Sequence, residues 1–197
     1  MSDDIYRYVI LQQDPTESHK RDWMRMINAF KADYFQHQAG YSRLSRTVME
    51  QCLENEKGLF NFMLYKDGIC LAIAEVAVGS LWKQRTMGVA TVYVKPNYRG
   101  KGIADNLYKE IERIAKENDC LFNMHIEQDS LDKNRDKFIE MGFVTYEPVR
   151  EFTSGNGYRQ QTYAVFKDYH YKRMKPLGNY EPGMQVDAGI EVKVHTD

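Results

Sequence analysis

The sequence predicts a mixed α/β domain, and three observations carry that expectation. Short runs rich in β-branched and aromatic residues alternate with stretches whose apolar residues recur at helical spacing. The order is strand, two helices, three strands, helix, strand, helix, two strands. One strand, Thr86 to Val94, runs into a two-glycine turn that opens a helix.

Taken in order, Ile5 to Leu11 reads as the first strand, broken by Asp14-Pro15-Thr16, which is placed to cap a helix. Glu17 to His37 reads as that helix, long and amphipathic, with Trp23, Met26, Ile27, Phe30 and Tyr34 on one stripe. Ala39-Gly40 ends it, and Ser42 to Asn55 reads as a second helix with Leu44, Val48 and Cys52 on one face. Leu59 to Tyr65 and Ile69 to Val78 are strands joined at Lys66-Asp67-Gly68, a hairpin signal. Gly79 to Arg85 reads as a loop, and Thr86 to Val94 as the third strand of this group. After the glycine turn, Ile103, Ala104, Leu107, Ile111, Ile114 and Ala115 form a helical stripe. Asp105/Lys109, Glu112/Lys116 and Arg113/Glu117 are charge pairs on its outer face. A strand over Cys120 to Glu127, a helix over Leu131 to Met141 stopped by Gly142, and strands over Phe143 to Phe152 and Tyr158 to Lys167 complete the pattern. Residues 1–167 read as one domain, and 168–197 as a C-terminal tail that wraps the domain, forms a homodimer contact or is partly ordered.

With 43% hydrophobic and 28% charged residues over 197 positions, the chain has the composition of a globular protein able to bury a core. A net charge of −1 provides no global field for nucleic acid or an anionic membrane, and no apolar segment approaches spanning length. Met1-Ser2-Asp3-Asp4 has neither the basic nor the apolar region of a signal peptide. Cys52, Cys70 and Cys120 are odd in number and lack metal-ligand spacing, the pattern of reduced thiols in a cytoplasmic protein.

The chemistry points to Arg99-Gly100-Lys101-Gly102-Ile103-Ala104. A helix opening directly after a strand presents unpaired N–H groups and a positive dipole end. Two glycines let a ligand approach that backbone closely, so the expected ligand is an anion, most simply a phosphate. No Gly-Lys-Ser/Thr follows, which excludes a Walker A loop, and the second half of a Gly-x-Gly-x-x-Gly fingerprint is missing.

The same residues fit Arg-x-x-Gly-x-Ala, and with the preceding strand, the Pro96-Asn97-Tyr98 turn and the following helix the sequence resembles the GNAT family, the Gcn5-related N-acetyltransferases. The resemblance covers residues 4–167 and implies a mixed, mostly antiparallel sheet, splayed between two parallel strands and flanked by helices. It implies acetyl-CoA as cofactor and transfer of its acetyl group to a primary amine of a small molecule or protein, by direct attack in a ternary complex. It assigns the phosphate cradle to Arg99, Gly100, Lys101, Gly102, Ile103, Ala104 and Asp105, and the backbone that polarises the thioester carbonyl to Val92, Tyr93 and Val94.

An amine acceptor has a pKa near 10.4 and must lose a proton before it attacks, so a general base is expected. Thr86 to Val94 holds no carboxylate, where many members of the family carry a glutamate. Glu75, in the apolar run Ile73-Ala74-Glu75-Val76-Ala77, is the leading candidate, ahead of His125, Glu127 and Asp129. Aligning the family pattern on Gly142-Phe143 places Phe138 where a thiol-protonating tyrosine is usual, Leu131 where a CoA-binding asparagine is usual, and Asn134 one turn away. Phe138 and Asn134 are then cofactor-side residues, and Tyr146 is the candidate acid. The missing tyrosine and carboxylate also fit a second reading, a GNAT-like module that binds CoA or a protein without turnover.

Overall fold

The computed structural model of the protein describes residues 5–35, 58–81, 83–153, 159–169, 172 and 174–183. Two units are distinguished, Met1–Asn123 and Met124–Asp197, with one strand crossing the boundary. The expected helix over Ser42–Asn55 and the turn at Ser154–Gly157 lie outside the described residues.

In the first unit, β1 (Arg7–Ile10) leads to α1 (Glu17–Phe35). Thr16 caps α1 reciprocally. The His19 backbone N–H donates to Thr16 Oγ1 at 3.2 Å, and the Thr16 N–H donates to His19 Nδ1 at 3.2 Å. This is a capping box with histidine in the place of the usual glutamate. The stripe Trp23, Met26, Ile27 and Phe30 is buried against Val9, Leu11, Met63, Tyr65, Ile73 and Tyr93, which makes the core of this face.

Antiparallel strands β2 (Leu59–Lys66), β3 (Ile69–Leu81) and β4 (Gln84–Val94) form the sheet beneath α1. Asp67 and Gly68 join β2 to β3 with φ of 51° and 75°, as a type I′ turn requires. The loop expected over Gly79 to Arg85 is instead mostly strand. The ladder runs on to Leu81↔Gln84, with Lys83 at φ 67°, because continued pairing satisfies backbone groups that a loop would leave open. After a 3₁₀ turn, Pro96–Tyr98, comes α2 (Ile103–Glu117), which buries Ile103, Leu107, Ile111 and Ala115. Its outer face carries the expected pairs Glu112–Lys116 and Arg113–Glu117. β5 (Leu121–Glu127) comes next, parallel to β4, so α2 is the crossover. Strand neighbours in this unit run β1-β2-β3-β4-β5.

In the second unit the order is β5-β7-β6-β8. α3 (Gln128–Glu140) ends at Gly142, whose φ of 93° lets the Phe143 N–H reach back to the Phe138 carbonyl at 3.1 Å. β6 (Thr145–Thr153) and β7 (Arg159–Phe166) are antiparallel, and β8 (Lys175–Pro176) adds to Thr145 and Tyr146. The chain then turns through Leu177–Asn179 and buries Tyr180 completely. The rings of Tyr146, Tyr163 and Tyr180 pack edge to face at 5.2–5.7 Å. The Tyr180 hydroxyl donates to Asp132 on α3, and Arg135 Nη1 donates to the Tyr180 carbonyl at 3.0 Å. Residues 174–183 of the tail are thus part of this unit.

Tyr180→Ala removes a fully buried ring and the partner of Asp132. It is expected to lower stability by about 3–5 kcal/mol, read from the midpoint shift in urea denaturation.

Candidate active site

The site is built on the turn between β4 and α2. Arg99 is still extended, at φ −67° and ψ 153°, and Gly100 and Gly102 both have φ 72°. Gly102 is the N-cap of α2 and has no side chain to cap with. The first helical bond is Asn106 N–H to the Gly102 carbonyl at 3.1 Å, so the amides of Ile103, Ala104 and Asp105 precede the ladder. A Cβ built on Gly100 or Gly102 would meet nothing within 4 Å. The glycines are therefore not required by packing. They supply the left-handed conformation and place no side chain of their own beside the three N–H groups. This is the setting expected of an anion-binding turn.

The side chains around the turn divide. Lys101 is exposed, its ammonium 5.5 Å from the centre of the Tyr98 ring. Arg99 turns the other way. Its Nε donates to the Val94 carbonyl at 3.0 Å, its guanidinium lies 5.4 Å from the centre of the Tyr93 ring, and Nη2 pairs with Asp33 on α1. The sequence pattern singles out Arg99 but not Asp33, 66 residues away, and no local signal joins them.

Within β4, Tyr93 is buried against Phe30, edge to face at 5.5 Å, while Val92 and Val94 are half-buried. Burial, then the charge of Asp33, raises the Tyr93 pKa. Two residues before Val92 the β3–β4 register shifts: Glu75 pairs with Thr91 and Val76 with Val89, which leaves Ala90 as an extra residue. Such a bulge bends the strand and unpairs backbone groups beside a site.

Glu75 is 2% exposed, opposite Asn61 in the β2–β3 register. Strand alternation puts both on the α1 side with Ile73 and Met63. The Asn61 side-chain amide, fully buried, has no hydrogen-bond partner among the described residues.

β5 presents a different setting. Asn123, His125 and Glu127 share one of its faces by alternation. Glu127 ends the strand and stands at the N-cap of α3 without a side-chain cap bond. Burial, aided by the nearby charge of Asp129, pushes its pKa up to about 8. Burial lowers the pKa of His125, which favours the neutral imidazole. Asn123 is fully buried, and neither atom of its amide has a partner among the described residues. Sequence reasoning does not single out Asn123. Its one signal is its place in the alternation Asn123, His125, Glu127, three polar residues on one face of the strand.

In the second unit, Phe138 is buried with its ring 6.4 Å from Phe143. Leu131 is fully buried. Asn134 is exposed, interrupts the helix at φ −128° and ψ 16°, and donates through Nδ2 to the Ser130 carbonyl at 2.9 Å. Tyr146 is 1% exposed within the three-tyrosine cluster, and burial raises its pKa.

Residues 23–143 match the sequence profile of the acetyltransferase (GNAT) family. The match spans more than half of the chain, and the protein belongs to that family. A stretch of 41 residues is 39% identical to a thialysine N-epsilon-acetyltransferase of Bos taurus, covering 21% of this chain and 24% of that protein. Among solved structures, a GNAT-family protein from Desulfovibrio desulfuricans superimposes with a TM-score of 0.58 at 10% identity, over 83% of this chain and 100% of the other. An N-acetyltransferase from Staphylococcus aureus does so with a TM-score of 0.58 at 16% identity, over 82% and 97%. At such identities these likenesses establish the fold.

Gly102→Glu tests the cradle. A side chain there projects into the open space and brings a carboxylate to the helix start. CoA binding is expected to be lost in calorimetry, with the circular dichroism spectrum retained. Gly102→Asn, a residue that tolerates left-handed backbone, is expected to keep measurable affinity.

Proposed function

We propose that the protein is an acetyl-CoA-dependent N-acetyltransferase acting on a primary amine in a ternary complex. The observation that carries this reading is the glycine turn at the start of α2, where two positive-φ glycines precede three amides that lie ahead of the first helical hydrogen bond. Bound acetyl-CoA supplies an activated acetyl group as a thioester, which an uncharged amine takes up with release of the thiol. The amides of Ile103, Ala104 and Asp105, with Lys101, hold the diphosphate, and the backbone of Val92–Val94 orients the acyl end. The likeness to a thialysine N-epsilon-acetyltransferase supports an aliphatic primary amine as acceptor.

Glu127 is the better-suited general base. A carboxylate with a pKa of about 8 is matched to a proton that must leave an ammonium near neutral pH. His125, on the same face and disposed to stay neutral, is a second proton acceptor. Glu75 lies deep in the sheet, and its role here is structural, beside the bulge that shapes β4. For the leaving thiol, with an ordinary pKa near 8.5, solvent is a sufficient proton source. Phe138 in place of the usual tyrosine favours the second reading, a CoA-binding module without turnover. A thiol-release assay across a panel of aliphatic amines separates the two: release above the hydrolysis background with any amine establishes transfer.

The base assignment has a pH signature. Glu127 must be deprotonated to act, so kcat/KM is expected to rise through about pH 8 and level off above it. Glu127→Gln is expected to lower kcat about 10²–10⁴-fold and to flatten that limb. Asp129→Asn, which removes the like charge, is expected to move the limb to lower pH. A profile unchanged in Glu127→Gln and altered in Glu75→Gln would return the role to Glu75.

A further inference from the structure

α3 is one helix in outline and two in detail. Asn134, at φ −128° and ψ 16°, lies outside helical geometry and divides it into 128–133 and 135–140. The first piece is less than two turns long, too short to hold itself by its own ladder. Leu131 is its one buried residue, and Glu127 stands at its N-cap without a side-chain cap bond. Asp129, whose charge adds to the effect of burial on Glu127, rides on the same piece.

A strap formed by residues 174–183 grips α3 on both sides of that break. Asp132 of the first piece accepts from the Tyr180 hydroxyl and, at 3.3 Å, from the Gly183 N–H. Arg135, just beyond the break, donates to the Tyr180 carbonyl at 3.0 Å. One residue thus bonds both pieces. Its own place is set by the sheet. β8 pairs with Thr145 and Tyr146, and the Leu177 N–H donates to the Val144 carbonyl at 2.8 Å. The Tyr180 ring is fully buried against Tyr146 of β6 and Tyr163 of β7. Burial, then the bond to Asp132, raises the Tyr180 pKa, so the phenol keeps its proton and remains a donor. The strap lies beyond residues 23–143, the stretch matched to the family.

We propose that Tyr180 is a positioning residue for acetyl transfer. By bonding both pieces of α3 it fixes the bend at Asn134, and with it the segment that follows Glu127 and carries Asp129. The assignment rests on the reading of Glu127 as the general base and adds what holds that base in its setting. Asp129 and His125 are the ionisable neighbours at the Glu127 end. Asp132, Arg135, Tyr146 and Tyr163 are those at the Tyr180 end. Without the hydroxyl the first piece is free to tilt about Asn134. Glu127 then meets more water, and its pKa falls back from about 8 toward the ordinary carboxylate range.

Tyr180→Phe keeps the ring and removes the hydroxyl alone, and Asp132→Ala removes the acceptor. In each variant the Glu127 carboxyl is titrated by NMR with labelled glutamate, its signal assigned by its loss in Glu127→Gln, and kcat and kcat/KM are followed against pH. Both variants are expected to titrate Glu127 about one pH unit below the wild type and to move the limb of the profile down with it. Their kcat is expected to fall about tenfold, as for a base held out of line. CoA affinity in calorimetry is expected to stay that of the wild type, and the double variant to be no worse than Asp132→Ala alone. A Glu127 titration unmoved in both variants overturns the assignment and leaves the base reading intact. Losses that add in the double variant, or a fall in kcat matched by a loss of CoA affinity, overturn it as well. A limb that survives in Glu127→Gln overturns the base reading, and this assignment with it.

Discussion

The constraint on which the site depends is a backbone conformation. Gly100 and Gly102 both lie at positive φ where β4 turns into α2, with free space beside each of them. A side chain at either position would strain the turn. The crossover follows from the same turn. α2 leaves it with Ile103, Leu107, Ile111 and Ala115 directed into the core, which delivers β5 parallel to β4. Cradle and crossover are therefore one local decision.

The side chains beside this turn add a tie to α1. Arg99 opens the signature, yet its guanidinium is shared among the Val94 carbonyl, the Tyr93 ring and Asp33. The pair is partly exposed, so its contribution to stability is modest. Its importance is directional: it fixes the end of β4 against the helix that covers the sheet. Under the proposed function, phosphate recognition then falls to backbone amides and Lys101. That division suits a turn in which the amides are aligned by the helix whatever the side chains do.

Much of this is legible in the sequence because it is local. The Asp67-Gly68 turn, the Thr16 cap, the α1 stripe and the Arg99–Ala104 turn are each written in a few adjacent residues. The features that escape depend on partners distant in the chain. The bulge at Ala90 exists only in the register of β4 against β3, and small residues such as Gly88 and Ala90 do not announce it. The continuation of β3 and β4 past Gly79 reads as loop because glycine and serine resemble turn residues until a partner strand is present. The two carboxylates show the same limit. Glu75 draws notice as a charge in an apolar run, whereas the character of Glu127 comes from burial and from Asp129, neither of which sequence spacing measures.

Tyr180 bears on the order in which the second unit can form. Its hydroxyl meets Asp132 across 48 positions of chain, and its ring completes the cluster with Tyr146 and Tyr163. During synthesis, α3, β6 and β7 all emerge before it, and until it arrives the edges of Tyr146 and Tyr163 lack one of their packing partners. Closing so long a loop carries an entropic cost that is recovered only when the ring seats. The nascent second unit thus passes through an interval in which its secondary structure is complete and its core is open, the state in which exposed apolar surface most readily recruits chaperones or other chains.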